Sequence, residues 1–249
     1  MILRLISCEV LCREMCAVIA ASPHRVDVEF LPKGLHDLGG ERMRAALQEA
    51  IDRVDDAPYD ATLLGYALCG NGIVGLRARA RPLVIPRAHD CIALLMGSRA
   101  RYGEYFDANP GVYFRSTGWL ERGQNLEQLT RETVRKSTGS GFTLEELVAR
   151  YGEENGRYLF EQLGGYRQTY TKLTYIETGV ERDSSFEDRA RAEAVERGWK
   201  FEKLRGDLTL FERLVSGEWD ERDYLIVPPG RQVGVTYDDN IVRSEPPAE

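Results

Sequence analysis

Cysteines stand at points of the sequence where predicted strands end. The stretches "ISCE", "LLGYALCGNG" and "PRAHDC" place Cys8, Cys69 and Cys91 after runs of apolar residues. Thiolate sulfur is a ligand of zinc and of iron–sulfur clusters. Because ligands of open α/β sheets bind beyond the carboxyl ends of the strands, we expect the three thiols to converge there. The sequence therefore predicts a metal site with three cysteine ligands.

Histidines and carboxylates lie beside the same strand ends. His89 and Asp90 stand in "RAHDC", Glu9 in "SCEV" and His36 in the loop "KGLHDLGG". A histidine or a water molecule could supply a fourth ligand to zinc. A carboxylate could orient a ligand or act as an acid–base group. These four residues are the predicted catalytic set.

The spacing of the cysteines bears on the identity of the metal. The chain has no C-x-x-C pair, so a purely structural zinc knuckle is not predicted. Three thiolates and only three histidines in the chain favour an iron–sulfur cluster with one open iron over zinc, and zinc stays an alternative. A third possibility needs no metal, with Cys69 or Cys91 as nucleophile and His89 as base.

The glycines of "CGNGIVG" follow the G-x-G-x-x-G spacing of dinucleotide-binding turns. Here the motif follows the third predicted strand and not the first, which argues against a nucleotide site. The alternative role is to let the backbone come close to a cluster and donate hydrogen bonds to it. We therefore predict that Gly70, Asn71 and Gly72 contact the cofactor.

Cys12 and Cys16 have a different setting. With Leu11, Met15 and Ile19 they follow helical spacing after the first strand. Buried cysteines usually behave as small apolar side chains. We therefore predict that both face the core.

Alternating strand and helix patterns fill residues 1–120. "ILRLIS", "RVDVEFLP", "ATLLGYAL", "RPLVIPRA" and "GVYFRST" read as strands, and the segments between the first of them contain amphipathic helices. A helix is predicted over residues 91–106. This alternation predicts an α/β fold with a parallel sheet and right-handed crossovers.

The remaining chain divides into two parts. Residues 121–170 are polar and predict a mainly helical insertion, and residues 171–249 return to strand and helix before a C-terminal hairpin. The order of elements suggests a weak internal repeat, with two Rossmann-like halves. Between them, aromatic and polar residues could line a substrate pocket or pack at an interface: Tyr113, Arg115, Thr117, Trp119, Tyr166, Arg167 and Tyr170.

The bulk composition excludes several classes of protein. A formal net charge of −7 argues against a nucleic-acid surface, which needs a cluster of basic residues. No apolar run approaches the roughly 18 residues of a membrane span, and the N-terminus does not have the pattern of a secretory signal. A cytoplasmic protein is expected, in which cysteines stay thiols or bind metals.

Five stretches together resemble a known family: "ISCEVL", "FLPKGLHDLG", "LLGYALCGNGIVGL", "VIPRAHDCIALLMGS" and "PGVYFRSTGW". They are similar to the bacterial and archaeal family filed as domain of unknown function 1638. The resemblance implies a cytoplasmic protein associated with corrinoid-dependent methyl transfer. The resemblance implies that the chain matches the family pattern at six of the positions named above: Cys8, His36, Cys69, His89, Asp90 and Cys91.

These observations predict a metal-dependent enzyme, a transferase or a lyase, that acts on a small molecule in one-carbon or sulfur metabolism. The alternative is an accessory protein without turnover, which binds a metal or docks to a corrinoid methyltransferase. The metal-free cysteine/histidine enzyme is the other alternative.

Overall fold

The computed structural model describes most of the chain. The described residues are 1–37, 39–53, 56–122, 170–236 and 238–247, with the single positions 148, 149, 152, 153, 155 and 157. Most of the predicted insertion over residues 121–170 lies outside them, as do Tyr166 and Arg167.

Strands and helices alternate along the described chain. The strands are β1 (Ile2–Cys8), β2 (Arg25–Leu31), β3 (Ala61–Gly65), β4 (Leu83–Pro86), β5 (Val112–Ser116), β6 (Lys172–Glu177), β7 (Lys200–Arg205), β8 (Tyr224–Val227), β9 (Gln232–Val235) and β10 (Val242–Glu245). The helices are α1 (Cys12–Ala21), α2 (Gly34–Asp37), α3 (Gly40–Asp52), α4 (Cys91–Leu95), α5 (Arg99–Ala108), α6 (Thr117–Arg122), α7 (Ser185–Glu196) and α8 (Thr209–Ser216). A short 3₁₀ turn, Glu9–Leu11, joins β1 to α1.

A five-stranded sheet forms the larger part of the fold, in the order β2-β1-β3-β4-β8. Its first four strands pair in parallel, and this confirms the α/β prediction. β8 pairs antiparallel with β4, so the expectation of a purely parallel sheet is wrong at this edge. A short apolar run such as that of β8 reads the same in either direction, so the sequence does not show how the strand pairs.

The larger sheet is covered on both faces. Side chains that alternate along the strands enter two cores, so Leu5 and Leu63 pack on the side of α1 and α8. Ile6 and Leu64 pack on the opposite side, against α3. Because helices cover both faces, the carboxyl edge of the sheet is the place where the chain can open a site.

A second sheet has the order β5-β6-β7 and is parallel throughout. The two sheets exchange strands: β5 precedes the insertion but pairs with β6, and β8 follows the second sheet but joins the first. The sheets therefore do not coincide with the predicted segments 1–120 and 171–249. β8 belongs to the second predicted half but pairs with β4 of the first. The predicted repeat between the two halves stays a prediction.

One local feature differs from the sequence expectation. The predicted helix over residues 91–106 is broken into α4 and α5, because Gly97 has a left-handed φ of +71° and Ser98 caps the second helix. At the C-terminus, β9 and β10 form an antiparallel pair. Among the helices that the structure describes, none is long and apolar enough to cross a membrane.

Candidate functional site

Cys8, Cys69 and Cys91 line one cavity at the carboxyl ends of β1, β3 and β4. We call it the thiol cavity; Tyr66, Lys33 and Trp119 line it too, and most of its remaining wall is apolar. Its volume of about 30 Å³ is enough for about two water molecules. The convergence of thiols from three separate strand ends is thus present in the structure.

Cys8 is the last residue of β1 and lies opposite Leu31 of β2. The next residue, Glu9, accepts a hydrogen bond of 2.9 Å from the backbone N–H of Lys33. This bond ties the end of β1 to the loop after β2. The predicted acid–base residue Glu9 therefore has a structural partner at the edge of the cavity.

Cys69 lies four residues beyond the end of β3 and has a left-handed backbone, with φ of +47°. Its N–H donates to the carbonyl of His89 at 2.9 Å, and the N–H of Leu68 donates to Ala88 at 2.9 Å. A non-glycine residue in this conformation costs roughly 1–2 kcal/mol. Such strain persists where the surroundings enforce it, and it clusters at functional sites.

Cys91 is the first residue of α4, and Asp90 caps that helix. The Asp90 carboxylate accepts from the N–H groups of Ile92 and Ala93, each at 3.0 Å. Its other oxygen accepts from the Tyr102 hydroxyl at 2.9 Å. Both oxygens are engaged, so this predicted catalytic residue positions α4 and thereby Cys91.

The surroundings of Cys69 and Cys91 favour the neutral form of these two thiols. Burial raises the pKa of Cys69 to about 12, with smaller contributions from the nearby Cys8 and Asp90. Burial also raises the pKa of Cys91, and the neighbouring Cys69 and Asp90 act in the same direction. The Trp119 indole N–H donates to the Cys91 sulfur at 3.3 Å and opposes that rise.

The histidines are less closely connected to the cavity. His89 is exposed and does not line it, although its carbonyl holds Cys69. His36 lies in α2, and its side chain is outside the described part of the structure. A role of either ring in catalysis stays a prediction.

The glycine-rich turn serves packing at one of its positions. A Cβ at Gly72 would lie 2.3 Å from the Met43 sulfur, so the space beside this glycine is filled by α3. Gly70 and Asn71 are exposed and both have positive φ. Contact of these three residues with a cofactor stays a prediction.

The expectation that Cys12 and Cys16 face the core is wrong for Cys16, which is exposed, and Cys12 is only half-buried. Met15 is fully buried, and a neighbouring position on a helix is turned by about 100°. The buried stripe of α1 instead includes Glu14.

Of the aromatic residues expected at a pocket, Trp119 lines the thiol cavity. Tyr113 and Tyr170 pack on Trp199 instead, and Arg115 forms an ion pair with Glu193. The sequence reasoning missed Lys33 and Tyr66. Both stand near predicted strand ends, so the same topological rule could have found them.

Three cysteine sulfur atoms are suitable ligands for a thiophilic metal, but they are not arranged around one point. Within the described ranges, no group of three or more His, Cys, Asp or Glu side chains is placed to hold a metal ion. A single zinc ion needs sulfur atoms about 2.3 Å away, tightly gathered around one point.

The fold and the cavity define an α/β protein with three thiols at the strand ends of its larger sheet. The chain belongs to the family described as protein of unknown function (DUF1638), whose model matches residues 30–215. The matched residues include Cys69, Cys91 and Trp119, and Cys8 precedes them. No curated protein and no solved structure matches the chain.

Proposed function

We propose that this protein is a metal-dependent enzyme whose Cys8, Cys69 and Cys91 bind an iron–sulfur cluster, with zinc as the alternative metal. The observation that carries the proposal is the convergence of three thiols on one mostly apolar cavity. A group bound there would offer an open coordination position that binds and polarises a small molecule. The apolar wall would exclude water from it.

The backbone of Cys69 supports a role for its thiol. Glycine would adopt a φ of +47° without strain, whereas cysteine does so at a cost. Neighbouring backbone hydrogen bonds hold the residue in this conformation and so direct its side chain. A thiol kept at the expense of stability is typical of a functional position.

The metal-free enzyme is the weaker candidate. A nucleophilic cysteine needs a lowered pKa, but burial raises the pKa of Cys69 and of Cys91. The proposed base, His89, is exposed and lies outside the lining of the cavity. The accessory protein stays the second candidate, because the small volume of the cavity suits metal storage or delivery.

The family resemblance extends the proposal to metabolism. It suggests a cytoplasmic protein in one-carbon or sulfur chemistry, with a corrinoid methyltransferase as a partner. A small-molecule substrate and this protein partner are both parts of the proposal. A pull-down with a corrinoid methyltransferase would separate the accessory role from independent turnover.

Anaerobic purification, metal analysis and a visible spectrum test the metal site. We expect iron and broad visible absorption in the wild type, and their loss in Cys69→Gly. Glycine suits the left-handed backbone, so this variant should remain as stable as the wild type while it loses the metal. Cys8→Ala and Cys91→Ala should lose the metal as well.

Cys16→Ala is the matched control, because Cys16 is exposed and outside the cavity. It should keep the full metal content. Zinc without absorption would select the alternative metal. Wild-type protein that retains neither iron nor zinc, even after anaerobic reconstitution, would rule out the proposal.

A further inference from the structure

Cys12 and Cys16 lie one helical turn apart at the start of α1. Cys12 is the first residue of the helix and has helical backbone angles, and Cys16 follows four positions later. Residues with this spacing lie on the same face of a helix. Cys12 is half-buried, Cys16 is exposed, and neither lines the thiol cavity. The two thiols thus form a separate pair, which the proposed function does not use.

The two thiols interact with each other. Burial, and after it the contact with Cys16, raises the pKa of Cys12. Cβ atoms four residues apart on a helix are about 5–6 Å from each other. A disulfide needs Cβ atoms about 3.5–4.5 Å apart, so oxidation of the pair to a disulfide would deform α1. An ion between the sulfur atoms suits the wider gap, because it adds two metal–sulfur bonds, each about 2.3 Å long for zinc.

The surroundings of the pair favour an ion that takes two ligands. In the part of the chain that the structure describes, no third His, Cys, Asp or Glu side chain is placed to complete a metal site with these thiols. The carboxylate of Glu121, on the neighbouring α6, is engaged by Arg13 through two hydrogen bonds of 2.8 Å. Zinc in structural sites almost always has four ligands. Cu(I) is a soft ion that prefers thiolates and is stable with two of them.

Arg122 brings a positive charge to the pair. Its guanidinium group donates to the Cys12 sulfur at 3.8 Å. The ion pair of Arg13 and Glu121 holds α6 against α1 next to this contact. Two thiolates with one Cu(I) ion carry a net charge of −1, which the guanidinium group offsets. Two thiolates with a divalent ion are already neutral, so the arginine favours a monovalent ion.

We propose that Cys12 and Cys16 form a second thiophilic site, which binds one Cu(I) ion between their sulfur atoms beside the Arg122 guanidinium group. Binding releases one proton from each thiol, and no electron is transferred. The exposed Cys16 meets the ion first, and the half-buried Cys12 completes its coordination. The inference does not depend on the metal proposed for the thiol cavity, because that site uses other cysteines.

Anaerobic titration of the full chain with Cu(I), against a colorimetric Cu(I) chelator, tests the inference. We expect the wild type to bind one more Cu(I) ion tightly than Cys12→Ser, Cys16→Ser or the double variant does. Because both thiols hold the same ion, removal of either should weaken binding at this site about a hundredfold, and removal of the second should add little. Arg122→Met keeps both ligands and should weaken binding only about two- to fivefold.

Cys16→Ala combined with Ala17→Cys is the matched control. It keeps the number of thiols but turns one of them by about 100° around α1, to a position that is also exposed. This variant should bind Cu(I) as weakly as Cys16→Ser does. Both positions are exposed, so the fold should not change. Binding as tight as in the wild type would show that any surface thiol suffices and would overturn the inference.

The remaining outcomes separate this inference from the metal proposal. Loss of one Cu(I) ion in Cys16→Ser, with the iron and zinc contents of the wild type, supports the inference whether or not the thiols of the cavity bind metal. Equal Cu(I) binding by the wild type and the double variant overturns the inference and leaves the cavity site intact. Losses in the two single variants that add up in the double variant also overturn it, because independent thiols would then bind the ion.

Discussion

The thiol cavity and a group of polar side chains near β6 both lie at carboxyl ends of parallel strands, but they use their polar atoms differently. We call the second group the carboxylate cluster; it consists of Glu14, Thr117, Tyr175, Thr178 and Glu181. The cavity is an open space with a mostly apolar wall around the three thiols. In the cluster, hydroxyls and backbone N–H groups are hydrogen-bonded to carboxylates of the protein itself.

Glu181 is the acceptor that several groups of the cluster share. Its carboxylate accepts from the N–H groups of Thr178 at 2.9 Å and Gly179 at 2.7 Å. The Thr117 hydroxyl lies 3.3 Å from the same carboxylate and 2.7 Å from the Tyr175 hydroxyl. A position at the end of a parallel strand is therefore not sufficient for a binding site. Open space beside the three thiols distinguishes the cavity from the cluster.

A single substitution in α6 should disturb both regions, because this helix contributes a residue to each of them. It carries Thr117 in the cluster and Trp119 in the cavity, with Gly118 between them. A Cβ at Gly118 would lie 1.6 Å from the Val10 carbonyl oxygen in the 3₁₀ turn. We expect Gly118→Ala to destabilise the protein by about 3 kcal/mol or more, because backbone must move against backbone. Thermal unfolding would measure the loss of stability.

Gly103→Ala is the matched control, since a Cβ at this position of α5 meets no atom within 4 Å. It should raise stability by about 0.5–1 kcal/mol, as alanine is the better helix former. Equal stability of the two variants would contradict the close packing of α6.

The sequence was sufficient for much of this architecture but not for all of it. Buried apolar runs predicted β1 to β4, and topology then placed Cys8, Cys69 and Cys91 at one edge. The direction of β8 depends on pairing with β4 across more than half of the chain, and a continuous apolar run does not encode it. The sequence does not show that β5 joins the second sheet either, because its partner β6 lies beyond the predicted insertion.

Side-chain roles were harder to predict than strand ends. The cluster was missed because its groups, Glu14, Thr117 and Thr178, come together only through the docking of α1 and α6 on the second sheet. Glutamate side chains are mostly exposed in proteins, so helical spacing alone gives no reason to expect Glu14 in the core. Its burial depends on a neighbour that sequence periodicity does not show.

The next largest expected effect is a dependence of stability on pH that is caused by Glu14 in the cluster. Burial raises its pKa from 4.5 to about 7, although the Thr178 hydroxyl, 3.0 Å away, opposes the rise. The folded protein therefore keeps a proton that the unfolded chain releases above pH 4.5. Unfolded chains bind fewer protons between these two values, so stability falls as the pH rises from 4.5 to about 7. The loss should amount to about 3 kcal/mol.

Urea unfolding of the wild type and Glu14→Gln at about pH 5 and about pH 8 measures this loss. The variant cannot ionise, so its stability should decline less over this range by about 3 kcal/mol. Its metal content should not change, because the cluster is separate from the cavity. Glu196→Gln, at an exposed position of α7, should keep the wild-type decline. The same decline in Glu14→Gln would show that another group causes it.

The smallest expected effect on stability concerns two ion pairs, one near each region. Arg13 and Glu121 join α1 to α6 beside the cavity, through two hydrogen bonds of 2.8 Å. Arg115 and Glu193 join β5 to α7 through two bonds of the same length. The first pair is 31% and 28% exposed, whereas the second is 19% and 15% exposed. Solvent should therefore screen the first pair more strongly.

Double-mutant cycles with alanine should give a coupling of about 0.5–1 kcal/mol for Arg13 and Glu121, and about 1–2 kcal/mol for Arg115 and Glu193. Added salt should reduce the first coupling more than the second. Arg197 also contacts Glu193, at 2.9 Å, so Arg115→Ala alone should cost less than Glu193→Ala. The stronger coupling at α7 would mean that the second sheet is held rigidly while α6 has more freedom at the cavity. A stronger coupling at Arg13 would reverse that assignment and make the edge of the cavity the more rigid region.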